Sequence, residues 1–493
     1  MKRPPKRLRR LPSGSARLLL SLAISVALGG CAVAVPDPTP PAPAAVAWHA
    51  PLPHDGSAAR LAQWWERFDD PVLATLIDLA QRNNPGIGAS LARIAQARAT
   101  ARAAGAARLP TLDANGQLTR RFSPEPPSVA YTIAGVSLDA IWELDLFGAN
   151  RRTRDAALAR LDARTAEWHG ARVSLAAEVA ATYADLRLCE SLLGVYRQDL
   201  ASQRVVLDLT NRKVRSGFSP PADAALINAG TAEAGNRARA QRGQCDLLVK
   251  SLVTLTAQPE GPLREQLDGR RGQLPQPAAL AVTRVPAEVL SQRPDLAALE
   301  QELVAASNEV GIAEADRYPR IRLNGSIGYA AFRAFGVTGT GATWSFGPGL
   351  SLPVFDGGRR AAVVEQSAAR FEELAADYRQ RATLAVQEVE EALVRLASAT
   401  DRLVDAERAA DSFQVYLKAA RTRFETGAGS AFEQEDARRS SLNAAAALLQ
   451  VRSERVAAYI SLYKALGGGW DPAPAPASAA ATHDMTEVRE SKQ

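Results

Sequence analysis

The chain is poor in the residues that carry chemistry. Its 493 residues include four histidines, His49, His54, His169 and His483, and none sits at metal-ligand spacing from cysteine or acid. His169 stands beside Trp168 with no partner histidine nearby in the sequence. A phosphate-cradling Gly-x-x-x-x-Gly-Lys loop is missing, as is a Gly-x-Ser-x-Gly elbow, and Gly467-Gly468-Gly469 closes a helical stretch. An enzyme is therefore not expected, nor a metal or cofactor. The apolar run from Leu18 to Leu28 is too short to cross a bilayer as a mature helix. The net charge of +6 includes Lys2, Arg3, Lys6, Arg7, Arg9 and Arg10, so the rest is closer to neutral and no nucleic-acid partner follows.

What the chain does have, it has twice. Arg317-Tyr318-Pro319 and Asn324-Gly325 repeat Arg108-Leu109-Pro110 and Asn115-Gly116 at an offset of 209. Pro353-Val354-Phe355-Asp356-Gly357-Gly358-Arg359 repeats the Asp145–Arg151 segment at an offset of 208, and Thr422–Gly427 repeats Arg212–Gly217 at 210. Each copy reads as helix, strand pair, and a long helical stretch that breaks at glycine and returns. Such a unit is too elongated to bury a core alone, which points to an assembled tube.

Three cysteines mark the N-terminal segment and one hairpin. A basic segment, the apolar run and Leu28-Gly29-Gly30-Cys31 form an export signal. Those last four residues resemble the bacterial lipobox, which implies cleavage before Cys31 and its acylation by diacylglycerol and an N-acyl chain; the alternative is ordinary cleavage and a free thiol. Ala32 in place of Asp implies sorting to the outer membrane, again by resemblance. Pro36 to Pro53 reads as an extended tether and the stretch after Gly469 as a structureless tail. Cys189 lies 28 residues before Gly217 and Cys245 lies 28 after it. An antiparallel hairpin turning there brings both to one height, which allows either a disulfide or two buried thiols.

From Gly148 to Ser216 there is no proline, and at 1.5 Å per residue the segment makes about 100 Å of helix. Leu175, Val179, Leu186, Leu193, Leu200 and Leu207 fall mostly seven apart, a coiled-coil seam. Pro221 to Ala257 runs back, and Gly357–Thr426 with Ala431–Leu466 repeats the design. Strands are expected at Leu112–Phe122, Val129–Ile141, Ile321–Ala331 and Ala342–Val354, with loops at Ser123–Ser128 and Arg333–Gly341. About a dozen residues suits a tilted membrane strand. Four strands cannot close a barrel, and open edges are excluded from lipid, so the chain must oligomerise.

The segment Val285–Glu300, with Arg293-Pro294-Asp295 inside it, together with Trp142–Gly148 and Pro353–Arg359, resembles the TolC-like outer membrane efflux proteins, in their NodT-type lipoprotein branch, from about Trp64 to Gly469. The resemblance implies an α+β membrane protein of Gram-negative bacteria: a homotrimer with a twelve-stranded outer-membrane barrel, four strands per chain, continuous with a periplasmic helical tunnel. It implies docking to a periplasmic adaptor and an inner-membrane pump, with export of small toxic compounds. A duct for type I protein secretion and an adhesive coiled-coil lipoprotein are the alternatives. The expected organisation is signal 1–30, lipidated tether 31–60, first repeat 61–260, linker 261–285, second repeat 286–469 and tail 470–493. In the family pattern, acids placed as Asp223, Glu433 and Asp436 line the periplasmic gate; the plain alternative is that they are solvated charges at a hairpin tip. Some members carry a basic residue where this chain has Gly429, so no closing salt bridge transfers. The tips, Arg215, Gly217 and Phe218 with Gly427 and Gly429, are the expected adaptor-docking residues. Arg293, Pro294 and Asp295, and Gly148, Gly357 and Gly358, are expected to be architectural.

Overall fold

The computed structural model describes residues 35–39, 64–65, 68–124, 128–277 and 293–469. Cys31 and the signal segment, most of the tether, and the tail lie outside them. The elements in chain order are α1 (Pro71–Asn83), α2 (Pro85–Ala106), β1 (Thr111–Ser123), β2 (Val129–Leu144), α3 (Ala149–Arg215), α4 (Pro221–Thr256), α5 (Glu260–Asp268), α6 (Pro294–Ala315), β3 (Arg320–Ala334), β4 (Val337–Ser351), α7 (Arg359–Glu425) and α8 (Ala431–Ala465). Both α3 and α7 are 67 residues long, about 100 Å each.

The chain forms two compact units, and neither is a repeat. One gathers Gln96–Asp162 and Gln301–Ala375 with residues 35–39; the other gathers the remaining parts of both copies. Each unit draws on both copies because corresponding elements pair across them, as β2 does with β3.

In the first unit β1 to β4 form one antiparallel sheet in sequence order. Register partners share a face, so the pairings sort the side chains. One face carries Leu112, Leu118, Val136, Leu138, Trp142, Ile327, Tyr329, Trp344 and Phe346. The other carries Asp113, Asn115, Gln117, Ser137, Asp139, Asn324, Ser326 and Ser345. On the polar face Asp139 accepts from Asn115 Nδ2 at 2.7 Å, Ser137 Oγ at 2.9 Å and Ser326 Oγ at 2.5 Å. Reading cross-strand partners together sorts most of the alternation that looks imperfect along β2 alone, although Ile133, Ile141 and Phe332 keep apolar side chains on the polar face.

Two expectations need correction. Arg333–Gly341 is not a loop: β3 and β4 pair from Ala334 and Val337 onward, leaving a two-residue turn at Phe335-Gly336 with φ of 50° and 79°. Both values are left-handed, the type I′ geometry that matches strand twist. The glycines of Gly339 and Gly341 lie within β4. Residues 35–39 of the expected tether lie against α6, where Ser307 Oγ donates to the Pro36 carbonyl at 2.7 Å and a Cβ at Gly311 would lie 2.7 Å from Val35. The linker 261–285 contains most of α5, whose Leu263 and Leu267 enter the main core; residues 278–285 lie outside the described residues.

The second unit holds that core. Trp64, Phe68, Leu73 and Leu76 pack with Val179, Tyr183, Leu186, Leu252, Leu393 and Leu462. Each fully buried aliphatic side chain contributes about 1.5–3 kcal/mol. Asp70 caps α1 through the amides of Val72 and Leu73 and accepts from Tyr183 Oη at 2.7 Å. Cys189 and Cys245 are bridged, with Cα atoms 5.6 Å apart. Arg293 is buried before α6: it pairs with Asp295 and with Glu388 of α7 and donates to the Ala465 carbonyl at the end of α8. Burial lowers Arg293's hold on its proton and raises that of Asp295, but the ion pairs outweigh it, so Arg293 moves up and Asp295 down.

Candidate functional site

The hairpin tips follow from their residues. At the first, Gly217 takes φ 75° and the Phe218 amide reaches back to the Lys213 carbonyl at 2.8 Å. At the second, Gly427 takes φ 80° and the Ala428 amide reaches the Arg423 carbonyl, also at 2.8 Å. This is the glycine-terminated helix end that satisfies orphan carbonyls, used identically in both copies. The tips pack on each other through Val206, Ile227, Phe424 and Ala431, and Lys213 Nζ lies 4.2 Å from the Phe424 ring centre while donating to its carbonyl.

The predicted site residues do not behave alike. Glu433 is half-buried and receives Arg423 Nη1 at 2.7 Å, a bond across the turn. Glu433 thus has a cation, but one that stands before the turn rather than after it. Gly429 leaves room for this: a Cβ there would sit 3.1 Å from the Arg423 Cβ and 3.3 Å from Glu433. Asp436 is exposed on α8. Asp223 accepts from Ser219 Oγ at 2.8 Å. Arg215 and both glycines are exposed, and Phe218 is 83% exposed. His169 is held below its ordinary proton affinity by burial and by Arg172.

The sequence reasoning missed a buried charge network above the tips. Arg438 of α8 donates to Asp199 of α3 at 2.6 and 2.8 Å and to Glu435 at 2.5 and 2.9 Å. Gln203 Nε2 and Arg439 Nε also reach Glu435, at 2.7 and 3.1 Å. Burial is the largest influence on both partners, raising Glu435 and lowering Arg438, yet the bonds outweigh it: Glu435 titrates below its ordinary range and Arg438 above. The burial pattern shows why. Asp199, Gln203 and Thr210 are buried while Leu200 and Leu207 are only half-buried, so the leucine seam gives way to a polar line below Leu193. A heptad scan of apolar residues cannot see that change of face. Among the described residues no group of His, Cys, Asp and Glu could hold a metal ion.

The profile of the outer membrane efflux protein family matches residues 76–255 and again 285–468, one match per repeat. The outer membrane protein OprJ of Pseudomonas aeruginosa is 32% identical over 92% of this chain and 95% of its own length. Nodulation protein T of Rhizobium leguminosarum bv. viciae is 28% identical over 83% and 85%. The solved outer-membrane channel OprN superposes with a TM-score of 0.82 at 28% identity, covering 89% of this chain and 99% of its own. With both repeats matched and the four-stranded sheet and long helical hairpins in place, this chain belongs to the outer membrane efflux protein family.

Proposed function

We propose that this chain is the outer-membrane exit duct of a tripartite efflux pump, a passive pore for small toxic compounds. The observation that carries the proposal is the two-faced sheet with unpaired edges at β1 and β4. Its apolar face suits lipid and its polar face suits a water-filled lumen, while the edges need strands from other copies. Three copies give twelve strands. Cys31 carries the lipid that tethers each copy to the outer membrane. The exposed tips around Arg215, Gly217, Phe218, Gly427 and Gly429 receive the periplasmic adaptor, which couples the duct to an inner-membrane pump.

The gate is formed by Asp436 with Glu433 and Asp223. Glu433 is paired with Arg423, whereas Asp223, which accepts only the Ser219 hydroxyl, and Asp436 keep an uncompensated charge to act on ions. Three copies of each favour cations. Asp436→Asn is expected to lower the cation preference of channels in planar bilayers without changing their thermal stability; unchanged selectivity removes Asp436 from the gate. The duct itself is tested by deleting the gene and measuring dye, antibiotic and organic-acid accumulation beside the culture supernatant. Raised accumulation with an unchanged supernatant supports efflux, and loss of a secreted protein makes this a secretion duct.

A further inference from the structure

The apolar face of the sheet ends at a row of a different character. Following register from the helix-joined end, the rows containing Leu144, Trp142, Ala140, Leu138, Val136 and Ala134 carry no charged residue on this face in any strand. The next row reads Arg120, Thr132, Arg333, Thr338 across β1 to β4. Both arginines are exposed, and among the described residues neither has a recorded side-chain bond. Ten residues of β2 separate Trp142 from Thr132, about 33 Å of strand and about 25 Å of height at the tilt of a membrane barrel. That is the height of an outer-membrane apolar band. A charge on the lipid side is costly at mid-membrane and tolerated at its boundary, so the row marks the boundary on the side of the hairpin turns.

We infer that Arg120 and Arg333 bind the phosphate groups of anionic glycolipid in the outer leaflet. This rests on the proposed duct, in which the hairpin turns face outward and the helices face the periplasm. Strands β1 and β3 lie one strand apart, which puts the two guanidinium stems about 10 Å apart. Guanidinium matches phosphate as a bidentate donor, and the threonines between add hydroxyl donors and acceptors. Three copies supply six arginines around the rim. A merely solvated arginine needs no fixed height, whereas Arg121, the very next residue, points to the polar face opposite Tyr131.

The test uses the purified full-length oligomer in detergent, with diphosphorylated lipid A, the same lipid stripped of phosphate, and inorganic phosphate as probes. Binding is read by native mass spectrometry and by the shift in thermal unfolding. The wild type and Arg121→Gln are expected to bind diphosphorylated lipid A equally, Arg120→Gln/Arg333→Gln at least fivefold more weakly, and inorganic phosphate to give no shift. Equal binding by the double variant, or equal binding of the phosphate-free lipid, overturns the inference. Conductance of the same preparations in planar bilayers keeps the two proposals apart: a wild type that forms no channel sinks the duct, and a double variant that conducts normally but loses the lipid supports the rim.

Discussion

At Gly217 and at Gly427 the chain leaves a 67-residue helix through the same left-handed glycine, yet the two tips are fastened by different means. The first has Pro220 and Pro221 entering α4 with no side-chain cap, an exposed Phe218, and, 28 residues up each arm, a disulfide. The second has Ser430 capping α8 through the Glu433 amide at 3.0 Å and the Arg423–Glu433 ion pair. Duplication preserved what the backbone requires, a residue free to adopt positive φ. Side chains were then free to diverge, because an exposed tip imposes few packing constraints.

The largest effect is expected where the two hairpins are joined. Arg438→Ala leaves buried Asp199 with only Arg237 at 3.8 Å and buried Glu435 with only Arg439 and Gln203, and costs about 3–5 kcal/mol in denaturant unfolding; a loss under 1 kcal/mol means the network does not bind the hairpins together. The disulfide distinguishes the hairpins next. Cys245→Ser is expected to cost about 2–4 kcal/mol, and reductant should lower the melting temperature of the wild type but not of the variant. Bulky replacement tests what the tips share. Gly217→Val and Gly427→Val each strain the backbone by about 1–2 kcal/mol, abolish export and leave the oligomer in the membrane; normal export by both contradicts docking at the tips. Ser430→Ala should cost about 1 kcal/mol while Ser219→Ala costs less, since only Ser430 caps a helix, and hydrogen exchange at the first turns of α8 and α4 reads the difference.

Acid offers the mildest probe. Glu435 and Asp295 titrate below their ordinary values of 4.5 and 3.8. Their contribution is therefore complete above those values and lost as pH falls through the lower folded ones. Apart from the loss that His169, held below its ordinary 6.5, brings from that pH downward, stability should decline as pH falls through about 4.5 and below, with Arg438→Ala flattening this second decline.

Much of this architecture is legible without coordinates. The offsets near 209 expose the duplication, missing prolines mark helices of about 100 Å, and matched turn glycines place both tips. Glycine-rich β4 was misread because Gly339 and Gly341 look like a loop until Arg333 and Ala331 are seen opposite Thr338 and Thr340. The acids near the tips were found by spacing, whereas their partners were not, since Arg423 stands on the far side of a turn from Glu433.

The sequence by itself determined the local and periodic features: where helices run, where glycine must end them, and that four strands need company. Those follow from rules acting over a few residues. Only the tertiary structure decided which charges are joined, because Asp199 meets Arg438 across 239 positions of chain. It also decided which face of the sheet each side chain takes, since that depends on pairing β2 with β3, strands from different copies of the repeat. Long-range register is set by the summed packing of whole rods and strands, and no local pattern encodes it.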